Sequence, residues 1–114
     1  LANMAQAHAR RFDVTPDSRV LQFVSPAFDV CAAEVFMTLA YGASLHLAPR
    51  HKLLPGETLQ TTLRDLAITH ALLPVGVAAL CVADAVPALR CLVVGGDVCR
   101  VCVPRAALFD RRWR

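Results

Sequence analysis

The chain has 114 residues, 56% of them hydrophobic and only 18% charged, with twelve basic against nine acidic side chains for a net charge of +3. That balance argues against disorder, and a surplus so small, carried by scattered arginines without interleaved aromatics, argues against a nucleic-acid partner. The longest apolar run, residues 71–83, is shorter than the roughly 20 residues a bilayer requires and holds Pro74 and Gly76, so no membrane association is expected.

Residues 1–12 are amphipathic, rich in helix formers, and stop at Pro16, so they predict a helix. Residues 19–24 form an apolar run suited to a strand. After a loop at residues 25–28, Asp29 suits the N-cap of a helix running to Ala40, which Gly42 closes. Residues 43–48 predict a second strand and residues 49–55 a polar connection. Leu59, Leu63 and Leu66 lie on one stripe of a helix predicted over residues 56–66. Residues 69–73 predict a third strand, and Pro74 opens a short apolar helix through Val82. Residues 91–94 predict a fourth strand ending in Gly95-Gly96, and residues 103–111 a last helix.

Strands alternating with helices predict an α/β fold, a mostly parallel sheet with flanking helices. Ligands in such sheets sit beyond the carboxyl ends of the strands, so the loops after Val24, Ala48, Leu73 and Val94 are the candidate site. The excess of apolar residues fits a chain embedded in something larger. The absence of an initiator Met, a helix starting at once, and no polar tail after Trp113 predict one incomplete domain over residues 1–114.

Few chemical signals stand in those loops. Asp29 reads either as a helix cap or as a carboxylate at the mouth of a pocket. Gly95-Gly96 permits close backbone approach to a ligand. The phosphate-binding G-x-x-x-x-G-K-[ST] is absent, since the one lysine is Lys52. Cys99-Arg100-Val101-Cys102 has CxxC spacing but no second pair of ligands, so no metal site is expected. Five cysteines, odd in number and among apolar residues, read as buried thiols of a cytoplasmic protein.

Several strings then share one likeness. Residues 12–23, Phe28-Asp29 with Glu34 five positions on, Ile68-Thr69-His70 with Leu73-Pro74, and residues 89–97 with Cys99 resemble, in that order, the adenylation domains of nonribosomal peptide synthetases. The resemblance covers the whole chain. It implies the fold of adenylate-forming enzymes, this stretch belonging to their large N-terminal portion. It implies an AMP-forming ligase that activates an amino acid with ATP and Mg2+, then loads it onto the phosphopantetheine thiol of a peptidyl carrier domain beside a condensation domain.

Residue by residue, the resemblance makes Asp29 the partner of the substrate's α-ammonium, and Val30, Ala33, Leu72, Val93 and Gly95 the pocket wall. Gly96 and Asp97 match a loop beside the adenine. The spacing is compatible: positions 29 and 33 share a helix face, and positions 93 and 95 share a strand face. Apart from Asp29 that lining offers nothing to satisfy a buried polar group, which implies an apolar substrate. Ala33 and Gly95 are small where the family often carries bulk, which favours a large or aromatic one. Val75 stands where a second Pro is usual, Ala33 where Trp is common before Glu34, and Asp97 where Glu is commoner.

The family's Ser/Thr/Gly-rich phosphate loop, Tyr-Gly-Pro-Thr-Glu motif, ribose-binding Asp and lid Lys do not occur in these residues, so the isolated chain is expected to be inert. Three other readings stay open: an acyl- or aryl-acid ligase, whose substrate would leave Asp29 without a cation, a freestanding α/β binding module, or a degenerate remnant without activity.

Overall fold

The computed structural model describes residues 2–27, 29–81 and 85–95, with the backbone alone at 29, 30 and 95. Four parallel strands lie in the order β2-β1-β3-β4: β1 (Arg19–Leu21), β2 (Ser44–His46), β3 (His70–Pro74) and β4 (Cys91–Gly95). Helix α1 (Ala2–Arg11) precedes β1, and α2 (Asp29–Ala40) links β1 to β2. A 3-10 turn (Arg50–Lys52) and α3 (Glu57–Asp65) lead to β3, and α4 (Val75–Ala78) leads to β4. The expected α/β sheet is therefore present.

Side-chain parity divides the core into two layers. Val20, Leu72, Cys91 and Val93 point to one face, where they pack with Ala9 of α1, Phe12 just after it and Met37 of α2. Leu21, Ala71, Leu73, Leu92 and Val94 point to the other, against Leu59 and Leu63 of α3 and Val75 and Ala78 of α4. Helices on both faces bury both sides of β3 and the described part of β4, which is why those strands read as continuous apolar runs, while the edge strand β2 stays exposed to half-buried.

Three helices end alike. At Gly42 (φ 70°), the amide of Ala43 donates to the Thr38 carbonyl and that of Gly42 to Leu39, the paired bonds of a Schellman cap. Asp13 (φ 54°) and Ala67 (φ 50°) close α1 and α3 with the same pair of bonds. Left-handed backbone at a residue carrying a Cβ is costly, so tertiary packing holds both against their preference.

Boundaries differ from the sequence expectation in physical detail. Strands β1 and β2 stop at Leu21 and His46; the Gln22 amide makes a last bond to the His46 carbonyl, and then Phe23, Val24 and Ala48 turn out to line a cleft. The connection at 49–55 contains the 3-10 turn, and Gly56 precedes α3 at φ 96°, outside the helix. Helix α4 ends at Ala78, short of the expected Val82, as suits a segment with Gly76 and two β-branched valines among its four residues. The helix expected over 103–111 lies outside the described residues.

Candidate functional site

The chain runs from β1 outward to β2, then crosses back past β1 to β3. The connections therefore diverge between β1 and β3, the place where open α/β sheets take their ligands. An open cleft of about 320 Å³ lies beside it, at the carboxyl ends of β1 and β2. Residues 22–26 form one wall; Ala48, Arg50, Leu53 and Leu54 form the other.

One buried acid shapes the first wall. Glu34, on α2, is 0% exposed. Its carboxylate accepts the backbone amides of Phe23 (3.3 Å) and Val24 (3.2 Å), and the Gln22 side-chain amide approaches at 3.4 Å. Gln22 also donates to the Val24 carbonyl. The amides that β1 would have used to continue its ladder are thus taken by a side chain from the next helix. Burial pushes the Glu34 carboxyl up to about 7, against the opposing pull of the Val24, Phe23 and Gln22 donors.

Behind the strands, His70 is 3% exposed and joins three elements. Its Nε2–H donates to the Phe12 carbonyl at the end of α1 (2.8 Å), so Nδ1 accepts from the Thr69 hydroxyl (2.7 Å). Thr69 in turn accepts the Arg19 amide of β1 (2.8 Å). Burial lowers the His70 pKa, the Phe12 bond opposes that, Arg90 adds to it and Asp13 opposes it.

The positions singled out by sequence fall as follows. Leu72 and Val93 are direct register partners on β3 and β4, both buried in the layer under α1 and α2. Gly95, two residues on, pairs with Pro74 at the carboxyl end. Ala33 is buried on α2, one turn before Met37, which packs against Leu72 and Val93 in that layer. Asp29 and Val30 open α2; their side chains are outside the description, as are Gly96 and Asp97. Of the positions whose side chains are described, Ala33, Leu72 and Val93 do not line the 320 Å³ cleft, whose described walls are residues 22–26, Ala48, Arg50, Leu53 and Leu54.

Sequence reasoning named Glu34 only as a motif landmark and gave Gln22 no role. An acid at a helix position flanked by Ala33 and Val35 was the available signal. Among the described residues no group of three or more His, Cys, Asp or Glu side chains could hold a metal ion, so they do not by themselves form a magnesium site. Cys81 and Cys91 are buried and Cys31 half-buried, and none of the three forms a disulfide among the described residues; Cys99 and Cys102 lie outside them. No helix among the described residues is long and apolar enough to cross a membrane.

Comparison with known proteins gives this geometry a context. The chain is 45% identical over 114 residues to chondramide synthase cmdD of Chondromyces crocatus, a match covering 99% of this chain and 3% of that protein. The N-terminal subdomain of Klebsiella oxytoca NpsA, solved with anthranilyl-AMSN, superposes with a TM-score of 0.67 at 25% identity, over 80% of this chain and 24% of that one. NpsA also occurs in an artificially fused adenylation-PCP di-domain. The likeness is to the adenylation domains of nonribosomal peptide synthetases. A third relative, the nonribosomal peptide synthetase FmoA3, matches with a TM-score of 0.68 at 29% identity over 83% of this chain and 11% of that one. No protein-family model matches the chain. It spans a small fraction of these synthetases and about a quarter of the NpsA subdomain.

Proposed function

We propose that this chain forms part of the substrate-binding side of an adenylation domain that activates an apolar amino acid to its aminoacyl-AMP, for transfer to a carrier-protein thiol. ATP with magnesium would supply the adenylyl group, and the peptidyl carrier and condensation domains of the same synthetase would be its partners. Asp29 is assigned to the α-ammonium, Val30, Ala33, Leu72, Val93 and Gly95 to the pocket wall, and Gly96 and Asp97 to the adenine side.

The observation that carries the reading is the pairing of Leu72 with Val93 on adjacent strands, in one buried layer with the α2 residue one turn beyond Ala33. These side chains offer no hydrogen-bonding group, so an apolar substrate meets no unsatisfied partner there, whereas a hydroxyl or charge would lose its water without replacement. Phe36 (43% exposed) and Leu39 (58%) give α2 an apolar outer face as well, which supports the proposal that residues 1–114 are part of one larger domain. The 114 residues alone are proposed to be inert; pyrophosphate exchange by them above buffer background would overturn that.

A second reading is an aryl-acid ligase, favoured by the anthranilyl and 3-hydroxybenzoyl ligands of the NpsA structures. Asp29→Ala in the domain carrying this chain separates the two. For an amino-acid substrate the variant leaves the ammonium without its counter-charge, and exchange activity falls by about 100-fold or more, as for loss of a buried charge-assisted bond. Unchanged or improved activity would favour the aryl acid.

A further inference from the structure

We propose that Glu34 is a positioning residue for the substrate-binding turn: by gripping the chain just after β1, it sets where α2 begins and so where Asp29 sits. The inference rests on the assignment of Asp29 made above.

The geometry is a closed clamp. Strand β1 ends at Leu21 and α2 begins at Asp29, leaving a short loop to deliver Asp29 to the crevice. The Gln22 amide still donates to the His46 carbonyl of β2 (2.9 Å), but beyond it the loop, with Pro26 in it, has no bond to a neighbouring strand to hold one path. Two consecutive amides, Phe23 and Val24, end on one carboxylate carried by the helix that the loop enters. Both oxygens are used, since Val24 is shared between them and Gln22 approaches the second. The loop is therefore tied to the second turn of its own following helix, five residues beyond Asp29.

The rest of α2 fixes Glu34 in turn. Ala33, Glu34, Met37 and Thr38 are its buried stripe, and Met37 is locked into the layer under the sheet. The Thr38 hydroxyl donates to the Glu34 carbonyl and satisfies that group within the helix. A rigid helix thus presents a carboxylate to a loop that cannot otherwise be placed. That arrangement supports a site from behind without touching what binds in it.

The test has a structural arm and a kinetic arm. In the adenylation domain containing this chain, amide hydrogen exchange is followed at Phe23 and Val24, with Leu72 and Val93 as reporters of the sheet. Glu34→Leu removes the acceptors, and protection at Phe23 and Val24 falls by about tenfold or more, while the sheet amides change by less than about twofold. Glu34→Gln keeps one acceptor oxygen and restores one of the two loop amides. Unchanged protection at both loop amides in either variant overturns the inference, as does an equal loss at Leu72 and Val93. Should Glu34→Leu not fold, the selective loss of one loop amide in Glu34→Gln carries the decision.

In the adenylation domain containing this chain, Glu34→Gln raises the KM for the amino acid by about fivefold or more and leaves the KM for ATP within about twofold. Equal effects on both overturn the link to Asp29. A wild-type domain without amino-acid-dependent exchange instead refutes the functional assignment, and the hydrogen-exchange result still decides the clamp.

Discussion

Replacing His70 with Phe removes a side chain whose hydrogen bonds tie the residue after α1 to β1 and β3. The ring is 3% exposed and has two partners, the Phe12 carbonyl at 2.8 Å and the Thr69 hydroxyl at 2.7 Å. The two losses are unequal. The Thr69 hydroxyl can turn to the Arg19 carbonyl, already 3.3 Å away, so it stays satisfied. The Phe12 carbonyl loses its side-chain donor inside the protein. Leaving one such group unsatisfied costs about 1–3 kcal/mol, and the Phe ring fills the space without a compensating donor. His70→Phe should therefore lower the unfolding free energy by about 1–3 kcal/mol, read in urea from the midpoint with the m-value unchanged. The loss has a pH signature. The folded-state pKa of His70 lies below its ordinary 6.5, so the neutral ring contributes fully above that value, and the contribution is lost as pH falls through the lowered pKa. The gap between wild type and variant should thus narrow below pH 6.5. A gap under about 0.5 kcal/mol at neutral pH, or one that widens on acidification, would refute this account of the ring.

Other substitutions probe the frame around the site. Ala67→Gly relieves a left-handed residue at the end of α3 and should raise stability by about 0.5–1 kcal/mol, measured as a shift in melting temperature; a decrease would contradict the cap assignment. Leu21→Ala opens a cavity at a fully buried position of a central strand and should cost about 2–5 kcal/mol in denaturant unfolding. Glu34 titrates in the opposite sense to His70. Its folded-state pKa of about 7 stands above the ordinary 4.5, so its contribution is complete below 4.5 and lost as pH rises through 7. Wild type should accordingly lose ground to Glu34→Gln by an amount on the order of 3 kcal/mol between those limits, seen by comparing their unfolding curves; a constant difference would contradict the buried assignment.

How much of this was legible in the sequence depends on which signal carried each element. Helix α2 was readable because Asp29 and Gly42 bracket an apolar run; Asp29, read as the cap, is instead its first residue, and Gly42 takes the expected positive φ. The common face of positions 93 and 95 follows from the two-residue period of a strand. The register that sets Leu72 beside Val93 does not, because pairing is fixed by how far each crossover carries the chain. Strand β1 was read three residues too long, since residues 22–24 have strand composition while the Phe23 and Val24 amides serve a carboxylate instead of a neighbouring strand. Ala67 gave no sign of its left-handed backbone, because alanine has no preference for it. Glu34 was named only through the family likeness; its apolar neighbours Ala33 and Val35 were the one local hint, and it takes the loop amides to bring its carboxylate in.

The central claim is amino-acid activation, and ATP–pyrophosphate exchange by the adenylation domain containing this chain tests it most directly. Offered a panel of amino acids and aryl acids, the domain should exchange with large apolar amino acids such as Leu or Phe, and not with Asp, Lys, Ser or benzoate. Exchange with benzoate or anthranilate alone, or preference for Asp, Lys or Ser, would contradict it.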